Sequence, residues 1–171
     1  MPTPDVDLRQ LTVRKLDEGV ELSDFDCSLD DDLGLNEFIH EEAMQYQNES
    51  LGVTHLFYHQ DCLVGYVTVA MGSIGVRETR LYLPFFGPKR RYPALLLGRL
   101  GVDNRYRNRN IGHCICLWSI GLAKELSKKV GCRFVVLMTN QSKVGFYLKS
   151  GFEICPKYEK KQKVLVYFRI F

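Results

Sequence analysis

The sequence predicts an α/β protein built on a single mixed central sheet of about six to seven strands with about four helices. Three observations carry this. Apolar alternation and helical periodicity follow one another as strand, helix, strand hairpin, long loop, strand, helix, strand, helix and two strands. A nearly continuous apolar run at 94–102 passes through a basic loop into the clearest helical pattern of the chain. The 171 residues, 46% hydrophobic and 25% charged, suit one globular domain with a sizeable core, so residues 1–171 read as a single domain.

The elements follow in order. Residues 11–16 (LTVRKL) alternate as a first strand. Residues 30–45 read as a helix, with acidic residues crowding its start as the helix dipole prefers and Leu35, Phe38, Ile39 and Ala43 on one face. Strands at 54–59 and 63–70 flank a turn at Gln60-Asp61 and form a hairpin. Residues 72–93, with glycines, three prolines and Lys89-Arg90-Arg91, read as a long loop, the kind that often carries function. The strand 94–102 follows. The helix 111–130 repeats Ile111, Ile115, Trp118, Leu122, Leu126 and Val130 at three and four residues, with Gly131 as its stop. A buried strand at 134–138, a short helix at 142–149 stopped by Gly151, and strands at 152–155 and 164–170 complete the chain.

Composition narrows the classes. The longest uncharged run, 62–76, contains three glycines and is too short to span a bilayer. The start, MPTPDVDLRQ, has no apolar segment of signal-peptide shape, so no membrane partner and a cytoplasmic location are expected. The six cysteines form no C-x-x-C pair and the four histidines make no zinc spacing, so reduced, mostly buried thiols and no metal are expected. Cys114 and Cys116 point to different faces of their helix.

The net charge of +3 is unevenly spread. Lys89, Arg90, Arg91, Arg99, Arg105, Arg107 and Arg109 stand against Asp103 alone, a patch that suits a polyanion. Part of it falls where Leu100, Gly101 and Val102 end a strand and Arg107-Asn108-Arg109-Asn110-Ile111-Gly112-His113 opens a helix. The first helical N–H groups have no internal partner and the dipole favours negative charge there, so the natural ligand is a pyrophosphate. The remainder, Lys89, Arg90, Arg91, Arg99 and Arg105, fits either a solvated loop or contact with RNA.

The loop resembles the Arg-x-x-Gly-x-Gly acetyl-coenzyme A loop of the GCN5-related N-acetyltransferases, the GNAT superfamily. Asn110 replaces the first glycine, and Asn is the residue after Gly that best tolerates the left-handed conformation. A second stretch, Asn140-Gln141-Ser142-Lys143-Val144-Gly145-Phe146-Tyr147-Leu148-Lys149-Ser150-Gly151-Phe152, looks like the superfamily's N-x-x-A-x-x-F-Y-x-K-x-G-F, with Val144 at the small position. The element order is also that of a GNAT domain over nearly the whole chain. A third set narrows it. Arg91-Tyr92-Pro93 with Leu96-Leu97-Gly98-Arg99-Leu100-Gly101-Val102-Asp103 is similar to the "YP…LLGRLAVD" run of one branch. Gly65-Tyr66-Val67-Thr68 resembles its "GYYTL" strand, and Phe25-Asp26-Cys27 with Leu29-Asp30 and Phe38 resembles its start. That branch holds the toxins of toxin–antitoxin pairs that acetylate aminoacyl-tRNA.

The resemblance implies a GNAT fold whose fourth and fifth strands, 94–102 and 134–138, splay around acetyl-CoA. It implies main-chain pairing to the pantetheine near Leu100 and Val102, the pyrophosphate on the amides of Arg107 to His113, and Asn140 on the pantetheine or orienting its loop. Tyr147 is implied as the general acid that protonates the coenzyme A sulfur, a task that suits a phenol protonated at neutral pH. Phe146 and Phe152 read as core. Glu41, Glu42, Glu78 and His113 are available as a base, but none has a motif around it. An aminoacyl α-amine is partly neutral at cell pH, so no dedicated base is required. The implied partners are acetyl-CoA, an amine acceptor such as aminoacyl-tRNA, an antitoxin protein and a second copy in a homodimer. Acetylation of a small amine or a protein amine, and a non-catalytic acyl-CoA-binding domain, stay open beside it.

Overall fold

The structure, a computed structural model, describes residues 5–171. They form two compact units: Met1–Ala70, described from residue 5, with Gly98–Ile115; and Met71–Leu97 with Cys116–Phe171. Seven strands form one mixed sheet, as expected: β1 Leu11–Lys15, β2 Val53–His59, β3 Cys62–Gly75, β4 Arg91–Val102, β5 Phe134–Asn140, β6 Glu153–Ile154 and β7 Lys163–Arg169. Their order is β1-β2-β3-β4-β5-β7-β6. β4 and β5 pair in parallel at Ala94↔Phe134, Leu95↔Val135 and Leu96↔Val136. Both then run on, β4 to Val102 and β5 to Asn140.

In the first unit, β1 pairs antiparallel with β2, and β2 with β3 across the turn at Gln60-Asp61, where Gln60 takes φ +55°. The β2/β3 register shifts between Phe57 and Tyr58, a bulge that leaves Val64 unpaired. The Val64 carbonyl instead accepts the Asp103 N–H at 3.0 Å. Helix α1 is built from Leu35–Glu37, a π turn Phe38–Glu42 and Ala43–Asn48. The expected start at residue 30 is too early, because Asp30 and Gly34 are left-handed at φ +54° and +70°. The acidic start still acts as a cap: the Asp31 carboxylate accepts the N–H groups of Leu35 and Asn36, each at 2.8 Å. Phe38, Ile39 and Ala43 go down into a core with Leu16, Phe25, Cys27, Leu56, Leu63 and Tyr66.

In the second unit, β5 pairs antiparallel with β7 and β7 with β6. The core gathers Ile74, Val76, Tyr92, Ala94, Phe134, Val136, Cys155 and Tyr167. The expected loop at 72–93 is shorter, since β3 runs to Gly75 and β4 starts at Arg91, with 3-10 turns at Val76–Glu78 and Pro84–Phe86 between them.

Helix α2, Ile111–Ser127, passes from the first unit into the second. It stops before the expected residue 130, closed by i+3 bonds from Lys128 N–H to Glu125 and Lys129 N–H to Leu126. It buries Ile111, Ile115, Cys116, Ser119, Ile120 and Ala123, so the buried face shares Ile111 and Ile115 with the expected stripe but turns away from Trp118, Leu122 and Leu126, which are half-buried. Helix α3 is Val144–Lys149, preceded by a 3-10 turn at Gln141–Lys143. Among the described residues three helices therefore stand where about four were expected, the remaining pieces being single 3-10 turns.

Of the cysteines, Cys27, Cys116, Cys132 and Cys155 are buried, but Cys62 is exposed. No helix among the described residues is long and apolar enough to cross a membrane.

Candidate active site

In the first unit, the end of β4 and the start of α2 hold the basic loop. Leu100 and Val102 are half-buried, and Gly101 is buried where a Cβ would lie 2.6 Å from Tyr66 Cε1 and 3.2 Å from Cys27 Sγ. The chain turns at Asp103, whose fully buried carboxylate gathers four donors: Arg105 N–H and Nε at 2.9 Å, Arg105 Nη2 at 3.0 Å and Asp26 N–H at 3.2 Å. Arg105 Nη2 also donates to the Asp24 carbonyl at 2.8 Å. Arg105 is thus a brace for the loop, and its pKa rises through the bond to Asp103. The Arg107 guanidinium donates to the Leu29 carbonyl at 2.9 Å and faces Asp30 at 3.7 Å.

Two residues of the loop are left-handed: Asn108 at φ +60° and Asn110 at φ +61°. Asn110 therefore holds the conformation that a glycine would adopt at its place, at a modest cost for an asparagine. Its carbonyl accepts the Cys114 N–H at 3.0 Å, which starts α2 directly after it. Ile111 and Gly112 are buried, Arg109 and His113 half-buried. The first amides of α2 have no acceptor within the helix, so the loop delivers main-chain donors at the positive end of a 17-residue helix.

In the second unit, Asn140 ends β5 and is buried. Tyr147 sits in the middle of α3, and its placement follows from how that helix ends. The Phe152 N–H donates to the Tyr147 carbonyl at 3.0 Å and the Gly151 N–H to the Leu148 carbonyl at 3.1 Å, with Gly151 at φ +91°. This is a Schellman closure. Its usual apolar contact is here the Tyr147 ring against Phe152, centroids 5.8 Å apart, with Phe152 against Phe168 at 5.7 Å. The Gly-Phe of the motif thereby fixes the tyrosine ring. Phe152 is buried as expected, whereas Phe146 is 39% exposed and packs edge-on to Tyr147 at 4.9 Å. Tyr147 is half-buried. Burial of its hydroxyl, with the Cys116 thiol nearby, pushes its pKa above the ordinary phenol value. The same burial pushes the Cys116 thiol up to about 12, against a hydrogen bond with Ser150. Both groups are neutral at physiological pH. No pattern around Cys116 or Ser150 in the sequence marks this pairing; only the packing of α2 beside Ser150 reveals it.

The other cations are engaged to differing degrees. Arg91 donates to Ser73 Oγ at 2.7 Å and to the Ser73 carbonyl at 3.0 Å. Arg99 donates to the Gly98 carbonyl and lies 5.0 Å over the Phe38 ring. Arg90 lies 5.8 Å over Phe86, and Lys89 is exposed. Among the possible bases, Glu41 and Glu42 are exposed on α1. Glu78 is held by the Gly75 N–H at 2.8 Å with Lys157 and Arg91 beside it.

Residues 21–152 match the model of the Acetyltransferase (GNAT) family. No curated protein matches the sequence. Solved structures do. A tyrosine-to-phenylalanine mutant of KacT superposes with a TM-score of 0.78 at 20% identity, over 94% of this chain and 95% of that one. AtaT complexed with acetyl-methionyl-tRNAfMet gives 0.75 at 19% identity, over 91% and 93%. AtaTR bound with AcCoA gives 0.75 at 20% identity, over 95% of each. At these identities the likeness is one of fold. The family match covers most of the chain: the protein belongs to the acetyltransferase (GNAT) family and is an N-acetyltransferase.

Proposed function

We propose that the protein transfers an acetyl group from acetyl-CoA to a primary amine, and that the amine is the α-amine of an aminoacyl-tRNA, as in toxin acetyltransferases. The whole chain, 1–171, serves as one acetyltransferase domain in this reading. The observation that carries it is Tyr147, held by the Gly151–Phe152 closure and kept protonated by burial.

The loop residues fit the donor. Arg107 to His113 offer main-chain N–H groups at a helix start, and Asn110 keeps the glycine-like turn, which supports a working pyrophosphate site. Leu100 and Val102 offer main-chain groups at the end of β4 for the pantetheine, with Asn140 as a side-chain contact. When bound, acetyl-CoA supplies an activated thioester and a thiolate leaving group. The Tyr147 hydroxyl donates its proton to the departing sulfur as the amine nitrogen takes the carbonyl carbon. The amine's surplus proton passes to solvent and the Tyr147 phenolate takes a proton back from it, so no side-chain base is needed for an amine of ordinary α-amino pKa. The AtaT neighbour with acetyl-methionyl-tRNAfMet supports the choice of acceptor over a small amine or a protein amine.

The test is acetyl transfer to charged tRNA set against polyamine and peptide pools, with Tyr147→Phe as the variant. General acid catalysis contributes about 10²–10⁴-fold, so Tyr147→Phe lowers kcat by at least about a hundredfold and leaves acetyl-CoA affinity nearly intact. An unchanged rate removes Tyr147 from the chemistry. Faster turnover of polyamines or peptides than of charged tRNA replaces the acceptor.

A further inference from the structure

The second unit joins two basic segments that lie far apart in the sequence. One is 77–91, with Arg77, Arg80, Lys89, Arg90 and Arg91 against Glu78 alone. The other is 156–163, with Lys157, Lys160, Lys161 and Lys163 against Glu159 alone. Glu78 ties them: its largely buried carboxylate lies 4.0 Å from Arg91 and 3.6 Å from Lys157. Arg80 and Glu159 stand 3.9 Å apart, and the Arg80 N–H donates to the Tyr167 hydroxyl at 3.2 Å. Nine cations against two carboxylates exceed the +3 of the whole chain, so the remainder is net acidic.

Aromatic rings are set among these charges. Phe86 stacks on buried Tyr92, centroids 4.9 Å apart and planes 9° apart, and the Tyr92 hydroxyl donates to the Leu81 carbonyl at 3.3 Å. Between these anchors Tyr82 and Phe85 point outward, 63% and 84% exposed. The segment is pinned at Leu81 and Phe86 yet presents two large rings to solvent beside exposed cations.

We propose that this face binds RNA, with Lys89, Arg90, Lys160 and Lys161 on phosphates and Tyr82 and Phe85 stacking on unpaired bases. The proposal rests on the aminoacyl-tRNA reading and extends the contact beyond the acetylated end. Exposed rings among cations are what a single strand uses, because every base has a π face. An acidic protein segment would use the cations and leave the rings idle.

The experiment titrates the full chain with deacylated tRNA by fluorescence anisotropy from about 50 to 200 mM salt. Two double variants are compared with wild type: Lys160→Gln with Lys161→Gln, and Tyr82→Ala with Phe85→Ala. All four side chains are exposed and none belongs to the site described above. The lysine pair reduces the log–log salt slope by about one to two, one for each phosphate that is no longer neutralised. The aromatic pair weakens binding by about tenfold or more at an unchanged slope. Both keep acetyl-CoA affinity and turnover of a small amine. Wild type without tRNA affinity, or both variants binding as wild type, overturns the proposal. So does a lysine pair that weakens tRNA and polyglutamate alike while the aromatic pair changes nothing, the signature of an acidic protein partner. Residue-dependent tRNA binding without acetyl transfer to charged tRNA leaves this surface standing and removes the acceptor reading.

Discussion

Asn110 tests how much of a motif lies in residue type and how much in backbone shape. Its φ of +61° is the conformation a glycine adopts freely and an L side chain adopts at a cost. Asn110→Gly therefore keeps or improves acetyl-CoA affinity in a calorimetric titration, and Asn110→Ala destabilises the loop by about 1 kcal/mol or more. A large loss of affinity in the glycine variant shows instead that the amide side chain makes a contact of its own. Cys116 gives a second residue-scale expectation. The thiolate is the nucleophile, and burial pushes this thiol up to about 12, so it stays unalkylated by iodoacetamide at pH 8 in the native protein. Exposed Cys62 is modified under the same conditions, and peptide mapping distinguishes the two. Labelling of Cys116 at the rate of Cys62 refutes the packing drawn around Tyr147.

Elements were legible where a local signal sets them. The Gln60-Asp61 hairpin turn, the apolar face of α1 and the stop at Gly151 all depend on residues within one turn of the place they act. What was missed depends on distant partners. The face of α2 is turned from the expected one because Trp118 and Leu122 satisfy the helical period, whereas the neighbouring elements cover the side that carries Cys116, Ser119, Ile120 and Ala123 beside Ile111 and Ile115. Gly101 shows the same dependence. The resembling branch carries alanine at this position, but here the Tyr66 ring fills the space, with its hydroxyl donating to the Leu35 carbonyl at 2.7 Å. Gly101→Ala forces a methyl to 2.6 Å from a fully buried ring. It is expected to destabilise by about 1–3 kcal/mol in urea denaturation, the range for overpacking. A Gly101→Ala chain as stable as wild type would show that Tyr66 can shift.

Across the whole molecule, the sequence revealed the uneven charge but not which cations are committed: Arg105 and Arg91 are bound to their own chain, and the lysines of 157–163 join the 77–91 segment only through folding. The titrating groups are just as uneven. The carboxylates with lowered pKa, Asp7, Asp26 and Glu125, lie at the surface, where solvent screens their bonds, so these three add little acid-dependent stability. The buried groups shift the other way. Burial pushes the Cys27 and Cys116 thiols up to about 12 from an ordinary 9.0, and Tyr66 and Tyr147 rise with them. Between these values the unfolded chain releases protons that the folded chain keeps, so stability falls as pH rises. It is fully present below the unfolded values, 9.0 for the thiols and 10.0 for the phenols, and each buried thiol removes up to about 1.4 kcal/mol per pH unit above 9.0 until its folded pKa is reached. Tm is therefore expected to be flat from about pH 7, above the ordinary value of half-buried His55, whose pKa burial lowers, to about 8.5, and to fall steadily from about 9 to 11. Cys116→Ala, compared with wild type over that range, has the shallower fall even where its Tm at neutral pH is lower. Parallel curves for the two proteins would show that Cys116 is not a source of the alkaline loss.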